Sequence, residues 1–218
     1  MPITPGHIRE TLDDYLDTHP NEKWQLAVIP ELLDAEANLV CRKEFRGHVT
    51  AGAILVDPAG RVLHVKHRAL NRWLLPGGHL EPDDTSLLAA AQRELTEETG
   101  ITASVVIHAG HRPVHIDAHH IPANPAKSEP EHRHFDFRFL FRTSADVIEL
   151  QTEEVAAPAW RHTDTIESDT LRNRVLDALR CATPLCSPSA PPLRDPARPP
   201  PRPLAQPSSR MGTNGHAG

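Results

Sequence analysis

Residues 76–101 form the stretch that decides the fold, and they read PGGHLEPDDTSLLAAAQRELTEETGI. A turn-forming Pro-Gly-Gly opens the stretch, and residues 85–99 have the composition of a helix that Gly100 ends. We expect Asp84 or Thr85 to cap the N-terminus of this helix, because a short polar oxygen can accept an orphan backbone N–H there. The sequence therefore predicts an acidic helix that begins just after a glycine loop.

The acidic residues of this helix share one face. On a helical wheel, Glu97 and Glu98 each lie within about 60° of Glu94. Each close pair of carboxylates costs on the order of a few kcal/mol in repulsion, and a divalent cation relieves that cost. Oxygen ligands of this kind favour Mg²⁺ or Mn²⁺. Arg93, one turn before Glu97, is placed to orient a carboxylate. A merely solvated acidic face would leave the adjoining Pro-Gly-Gly unexplained.

Length and composition restrict the class of protein. A chain of 218 residues accommodates one α/β domain with appendages. A formal net charge of -6 argues against a nucleic acid polymer as partner. The sequence contains neither a secretory signal pattern nor an apolar run of membrane-spanning length. Three cysteines, Cys41, Cys181 and Cys186, match no disulfide set or metal spacing, so we expect a cytoplasmic protein without membrane partners.

Three regions follow from the pattern along the chain. Residues 1–46 have helical periodicity and predict an N-terminal extension of two short helices. Residues 183–218 are rich in proline and poor in bulky apolar groups, which predicts a disordered tail. Between them, residues 47–182 predict a catalytic domain of the α/β (α+β) class, a mixed β-sheet sandwiched between helices. Strands are expected at 48–57 and 61–67, which form a hairpin, and at 72–82, 101–110, 111–120, 131–142 and 158–163, with a closing helix at 165–179.

Histidines are concentrated before and within one alternating segment, EHRHFDFRFLFR at residues 131–142. Alternation places its phenylalanines in the core and His134, Asp136 and Arg138 on the opposite face. In the preceding segment, residues 111–120, the same alternation places His115 on one face together with Asp117 and His119. If the two strands pair, one surface carries imidazoles, aspartates and Arg138. This surface could contact substrate phosphates, with His115, His134, Asp136 and Arg138 as the candidate substrate-binding residues. It could instead hold a second metal or simply face solvent, although no two histidines there have a helical metal-ligand spacing.

The motif around the acidic helix resembles the signature of the Nudix hydrolase family. That signature is Gly, five residues, Glu, seven residues, then Arg-Glu-apolar-x-Glu-Glu-x-Gly-apolar. The residues that match it are Gly78, Arg93, Glu94, Leu95, Glu97, Glu98, Gly100 and Ile101. Asp84 stands where the family has Glu, and eight residues rather than seven separate it from Arg93. The histidine-rich segment is also similar to a pattern found in a bacterial Nudix subgroup of unassigned substrate.

The resemblance implies a Nudix-type pyrophosphohydrolase. Glu94, Glu97 and Glu98 would bind Mg²⁺, with the Gly78 carbonyl as a further ligand, and Arg93 would orient a glutamate. A metal-activated water would attack a phosphoanhydride in a nucleoside diphosphate-linked or related small molecule. The general base could be a motif glutamate or an acid outside the motif, and position alone nominates Glu153 and Glu154.

Two other functions share this fold. A catalytically silent Nudix domain that acts as a ligand-binding or regulatory module usually lacks motif glutamates, whereas all three are present here. Isopentenyl-diphosphate isomerase needs a catalytic cysteine, and no cysteine of this chain lies in a matching motif. The sequence leaves open the substrate and whether the protein is a monomer or a homodimer.

Overall fold

A mixed β-sheet forms the centre of the protein. The structure, a computed structural model, describes residues 2–67, 71–143 and 156–181. Within these residues the sheet has eight strands. They are β1 (His48–Val56), β2 (Val62–His67), β3 (Arg72–Leu74), β4 (Gly77–His79), β5 (Val106–His108), β6 (His115–Ile121), β7 (His132–Thr143) and β8 (Ala156–Arg161). The sequence predicts an extended piece at 72–82 that breaks at Pro76-Gly77-Gly78, and this segment is indeed two short strands, with Pro76 between them.

The central pair of strands, β1 and β7, is parallel, with His48 opposite His134 at one end and Val56 opposite Arg142 at the other. The remaining pairings are antiparallel: β2 and β4 with β1, β3 and β8 with β2, and β5 and β6 with β7. This confirms the mixed sheet. Because β4 and β7 both pair with β1, the glycine loop and the histidine-bearing strand lie beside the same central strand.

The two central strands differ in sequence pattern for a physical reason. Every residue of β1 is buried, which suits a central strand covered on both faces and explains its continuous small and apolar run. Strand β7 alternates instead: Phe135, Phe137, Phe139 and Phe141 are buried in the core. The predicted hairpin between β1 and β2 is present, and Asp57 stabilises it by accepting the backbone N–H of Arg61 at 2.7 Å.

Helices cover both faces of the sheet. They are α1 (Pro5–Thr18), α2 (Lys23–Leu26), α3 (Val28–Asp34), α4 (Leu87–Thr99) and α5 (Asp169–Cys181). One apolar cluster joins α1, α3 and α4 to one face, where Leu87, Ala91 and Leu95 are fully buried. A second cluster joins α5 to the other face through Leu171 and Val175. The expected sandwich is therefore confirmed, with three α-helices rather than two in the described part of the N-terminal extension.

The start of α4 differs from the expectation. Ser86, rather than Asp84 or Thr85, is the N-cap, and its hydroxyl accepts the backbone N–H of Ala89 at 3.1 Å. Asp84 does not cap the helix because its carboxylate is bonded to the guanidinium of Arg93. The end of α4 is as predicted: Gly100 adopts a left-handed conformation with φ 72°.

Two of the sequence predictions concern residues outside the ranges that the structure describes. The proline-rich segment 183–218 and the two acids Glu153 and Glu154 lie outside the described residues. Across the portion that is described, none of the helices has the length and apolar character required to cross a membrane.

Candidate active site

A network centred on Arg93 joins α4 to the loop that precedes it. The Arg93 guanidinium donates to both carboxylate oxygens of Asp84, each at 3.0 Å, and to the backbone carbonyl of His79 at 2.9 Å. Asp84 is buried and also accepts the backbone N–H of Glu81 at 2.7 Å. Asp84 therefore links the loop to the helix, despite being a shorter residue than the glutamate of the family signature.

The same guanidinium also orients two glutamates of the acidic face. Its Nη1 lies 3.0 Å from Glu94 Oε1 and 2.9 Å from Glu97 Oε2. Glu98 takes a different partner, since its carboxylate accepts the backbone N–H of Gly77 at 3.1 Å. Helix α4 thus directs Glu94 and Glu98 toward the glycine loop, and Arg93 joins Glu97 to Glu94.

Glu94 approaches the backbone of Gly78 closely. A Cβ atom at position 78 would lie 2.6 Å from Glu94 Oε1, which is shorter than any real contact of this type. The absence of a side chain lets the carboxylate lie directly against the β4 backbone. The Gly78 backbone and the Glu94 carboxylate consequently belong to one site.

Burial disfavours the ionised forms of Glu94 and Glu98. Burial and, to a smaller extent, the neighbouring Glu94 and Glu97 carboxylates raise the pKa of Glu98 to about 7, although the hydrogen bond from Gly77 opposes the shift. Burial also raises the pKa of Glu94, although Arg93 opposes this effect. A divalent cation would favour the ionised forms of these groups, and clustered carboxylates match the oxygen ligands that Mg²⁺ prefers. The residues present therefore fit the metal that the resemblance implies.

A cleft of about 830 Å³ opens beside this site. Gly77, Gly78 and Glu98 form one part of its lining, and β6 and β7 form another through side chains that include His119, His134, Asp136 and Arg138. These two strands pair as expected, with Asp117 opposite Asp136 and His119 opposite His134. The structure thus brings three of the four predicted substrate-binding residues to the same cleft as the acidic helix.

Charges on the cleft wall are partly neutralised. Arg138 lies 2.7 Å from Asp136 and 4.0 Å from Asp117. Thr50 donates to Asp136 at 3.3 Å. The wall therefore offers both hydrogen-bond donors and acceptors, and its guanidinium is held in place by two carboxylates.

His115, the fourth predicted substrate-binding residue, lies in a different environment. Its side chain is buried, and its Nδ1 is 3.0 Å from Nη1 of Arg174 on α5. His115 and Asp117 alternate along β6 and therefore lie on the same face of the strand. The end of β6 that carries His115, however, is covered by helix α5 and the N-terminal extension. The structure gives His115 a packing role against Arg174 in place of the expected position on the cleft wall.

Two histidines that the sequence pattern did not nominate belong to the site. His48 begins β1 and His79 ends β4, and together with His134 each offers a ring nitrogen within 4.8 Å of the others. Burial is the main cause that lowers the pKa of all three, to about 4 for His79 and about 3 for His134. One indication for His79 was visible in the sequence, because this residue directly follows Gly78 of the glycine loop. His48 could not be recognised in this way, since only strand pairing places it beside His134.

Comparison with known proteins agrees with this arrangement. The NUDIX domain family matches residues 46–179. A relative named "Probable DHNTP pyrophosphohydrolase" from Lactococcus lactis subsp. cremoris (strain MG1363) is 32% identical over 112 residues, which are 49% of this chain and 64% of the relative. "Phosphatase NudJ" of Escherichia coli (strain K12) is 48% identical over 61 residues, 27% of this chain and 39% of the relative. The match covers less than two thirds of either relative's length.

Solved structures with a similar fold include a C. elegans Ap4A hydrolase in a binary complex. It has a TM-score of 0.47 and 19% sequence identity, and the match covers 61% of this chain and 98% of that one. The E. coli dihydroneopterin triphosphate pyrophosphohydrolase has a TM-score of 0.47 and 18% identity over 62% of this chain and 96% of that one. The NUDIX match extends over more than half of the chain and includes the acidic helix with its glycine loop, so the chain belongs to the Nudix family.

Proposed function

We propose that the chain is a Nudix pyrophosphohydrolase that cleaves a diphosphate bond in a nucleoside diphosphate-linked or related small molecule. The observation that carries this proposal is the meeting of Glu94 and Glu98 with the Gly77-Gly78 backbone at the edge of an open cleft, with Glu97 joined to Glu94 through Arg93. A site of this composition holds a hard divalent cation and a phosphorylated ligand at the same place.

Each residue of the site has a distinct role in this proposal. Glu94, Glu97 and Glu98 would hold Mg²⁺, or Mn²⁺, with the Gly78 carbonyl as a further ligand. When bound, such a cation supplies charge neutralisation for the diphosphate and makes a coordinated water more acidic. Arg93 positions Glu94 and Glu97 through its guanidinium, and Asp84 positions Arg93 in turn.

The cleft wall would recognise the rest of the substrate. We place His134, Asp136 and Arg138 in this role because they line the cleft that Glu98 also faces. Asp136 and Asp117 hold the Arg138 guanidinium. A polar ligand that can both donate and accept hydrogen bonds fits this wall better than a bare phosphate chain does.

The test is a phosphate-release screen of the purified protein with Mg²⁺. The panel contains nucleoside triphosphates, dinucleoside polyphosphates, nucleotide sugars, ADP-ribose, CoA esters and dihydroneopterin triphosphate. We expect at least one compound to be cleaved, and we expect Glu97→Gln to lower kcat/KM for it at least about 100-fold, since a ligand charge is lost.

Glu131→Gln is the matched control, because it makes the same chemical change at an exposed glutamate that lies 3.6 Å from His120. It should keep wild-type activity. Full activity in Glu97→Gln would refute the assignment of the glutamates. A wild-type protein that binds a panel compound without cleaving any would instead support the alternative of a silent ligand-binding or regulatory Nudix domain.

A further inference from the structure

A group of five imidazole rings, which we call the histidine cluster, lies beside the cleft, and His79, His119 and His134 line it. Its members are His48, His79, His119, His132 and His134. The ring centroids lie 4.6 Å apart for His48 and His134, 5.1 Å for His48 and His79, 5.3 Å for His79 and His134, and 5.0 Å for His132 and His134. His119 lies 5.8 Å from His134. Solvation alone does not bring this many rings together across neighbouring strands.

Strand pairing assembles the cluster from distant segments. His48 of β1 is directly opposite His134 of β7, and His79 of β4 is opposite Thr50 of β1, two residues along the same face. Side chains on one face of adjacent strands are within reach of each other. The backbone of the sheet therefore holds the three rings, so their convergence does not depend on a flexible loop.

One member of the cluster has an unused nitrogen. His48 is 1% exposed, and its Nδ1–H donates to the Glu44 carbonyl at 3.3 Å. This bond leaves the lone pair on Nε2, which is buried and has no hydrogen-bond partner among the described residues. A histidine that ligates a metal typically has its other ring N–H bonded to a carbonyl in this way. His48 thus already has the orientation and tautomer of a ligand.

Neighbouring groups support the same geometry. His132 donates through Nδ1 to the Pro130 carbonyl at 2.8 Å, and its Nε2 lies 3.1 Å from the Nε2 of His134. Because the lone pair of His132 is then on its Nε2, His134 donates its Nε2–H in this contact, which orients the His134 ring and leaves the His134 lone pair on Nδ1. The nearby cation Arg42 pairs with Glu129 at 3.2 Å, which offsets its repulsion of an incoming metal ion.

We propose that His48, His79 and His134 form a second metal site, selective for a borderline transition-metal ion such as Zn²⁺ and separate from the carboxylate site on α4. Their three ligand nitrogens lie within 4.8 Å of one another. Ligands of a tetrahedral zinc ion, at about 2.0–2.1 Å from the metal, are about 3.4 Å apart. Small rotations of the side chains would therefore bring the three nitrogens to an ion.

The chemistry of the donors separates this site from the carboxylate site. Neutral imidazoles suit Zn²⁺ and similar ions, whereas Mg²⁺ prefers oxygen. Three protein ligands leave one coordination position open. Because His79 and His134 also line the cleft, an ion bound here would add positive charge to the wall next to Glu98.

The experiment measures metal binding by the untagged full-length chain after chelator treatment, without substrate. We expect about one equivalent of Co²⁺ to bind with the intense visible absorption of tetrahedral nitrogen coordination, and Zn²⁺ to displace it. His134→Gln and His79→Gln should each weaken Zn²⁺ binding at least about 100-fold in a chelator competition assay.

Two controls make the result specific. His120→Gln changes an exposed histidine of the same β6–β7 region and should bind Zn²⁺ like the wild type. Glu97→Gln should keep the Co²⁺ spectrum, since it affects the other metal site. Wild-type affinity in both cluster variants would overturn the proposal, as would a weak octahedral Co²⁺ spectrum.

Folding of the variants is checked by their metal-free circular dichroism and melting temperature. If both cluster variants misfold, X-ray absorption of the Zn²⁺-loaded wild type decides: three imidazole ligands support the site, and oxygen ligands alone refute it. Because no substrate is used, failure of the hydrolase assignment would leave this result unaffected.

Discussion

At the scale of the residue, Asp84 departs from the family signature but still contacts Arg93 of the same signature. Asp84 is one methylene shorter than the glutamate of the signature, and the segment that joins it to Arg93 is one residue longer. Both carboxylate oxygens nevertheless lie 3.0 Å from the Arg93 guanidinium. The longer segment and the shorter side chain compensate each other, so the loop and the helix remain connected.

Asp84→Asn should lower the free energy of unfolding by about 2 kcal/mol, the usual value for a lost hydrogen bond to a charged group. The amide directs an NH₂ group at a guanidinium that only donates, inside a buried site. Urea denaturation of the metal-free protein measures this effect. Asp83→Asn is the matched control, since Asp83 is the exposed neighbour. Equal stabilities for the two variants would contradict this role for Asp84.

At the scale of the element, α4 combines a buried apolar face with an acidic one. Leu87, Ala91 and Leu95 fix its rotation against the sheet, and the glutamates then face the glycine loop. The register of β4 against β1 sets the position of that loop along the central strand, with Gly78 opposite Ala51. A helix and a three-residue strand thus define the site, and each depends on the central strand.

Ser86→Ala should destabilise the protein by about 1 kcal/mol, because the N-cap hydroxyl accepts an otherwise unpaired N–H of Ala89. Thr85→Ala removes a hydroxyl from the preceding, exposed residue and should change stability by much less. Thermal unfolding of both variants checks the assignment of the cap. A larger loss in Thr85→Ala would show that α4 begins one residue earlier.

At the scale of the whole molecule, the N-terminal extension is part of the core. Ile8, Leu12 and Tyr15 of α1 are buried in the same apolar cluster as the sheet. Arg174 of α5 donates to Glu22 and to the Tyr15 hydroxyl. Burial raises the pKa of Tyr15, so its hydroxyl stays protonated. These contacts hold the extension, β6 and α5 together within one compact unit.

His115 should give this region a measurable dependence on pH. Burial lowers its pKa to about 4, with the Arg138 and Arg174 charges adding to the effect. In the unfolded chain its pKa is near 6.5, so the stability is fully present above that value and is lost as the pH falls toward 4. Between about pH 7.5 and pH 5 this loss amounts to about 2 kcal/mol.

Urea denaturation at the two pH values tests this expectation. Other buried histidines, including His48 and His64, also have a lowered pKa and add to the loss in the wild type. His115→Gln should therefore reduce the pH dependence by about 2 kcal/mol without abolishing it. His120→Gln, at an exposed histidine, should leave it unchanged. An unaltered pH dependence in His115→Gln would mean that His115 is not held neutral.

Local sequence determined the acidic helix, its glycine loop, its end at Gly100 and the strands on either side. Helical period, strand alternation and glycine conformation act over a few residues, so they can be recognised without the fold. Contacts within the same segment made Ser86 the cap and Asp84 the partner of Arg93, among neighbouring polar residues that the pattern did not separate. Tertiary structure alone decided that His115 lies beside Arg174 and that His48 and His79 meet His134. These outcomes depend on strand register and on contacts between distant segments, which no local pattern specifies.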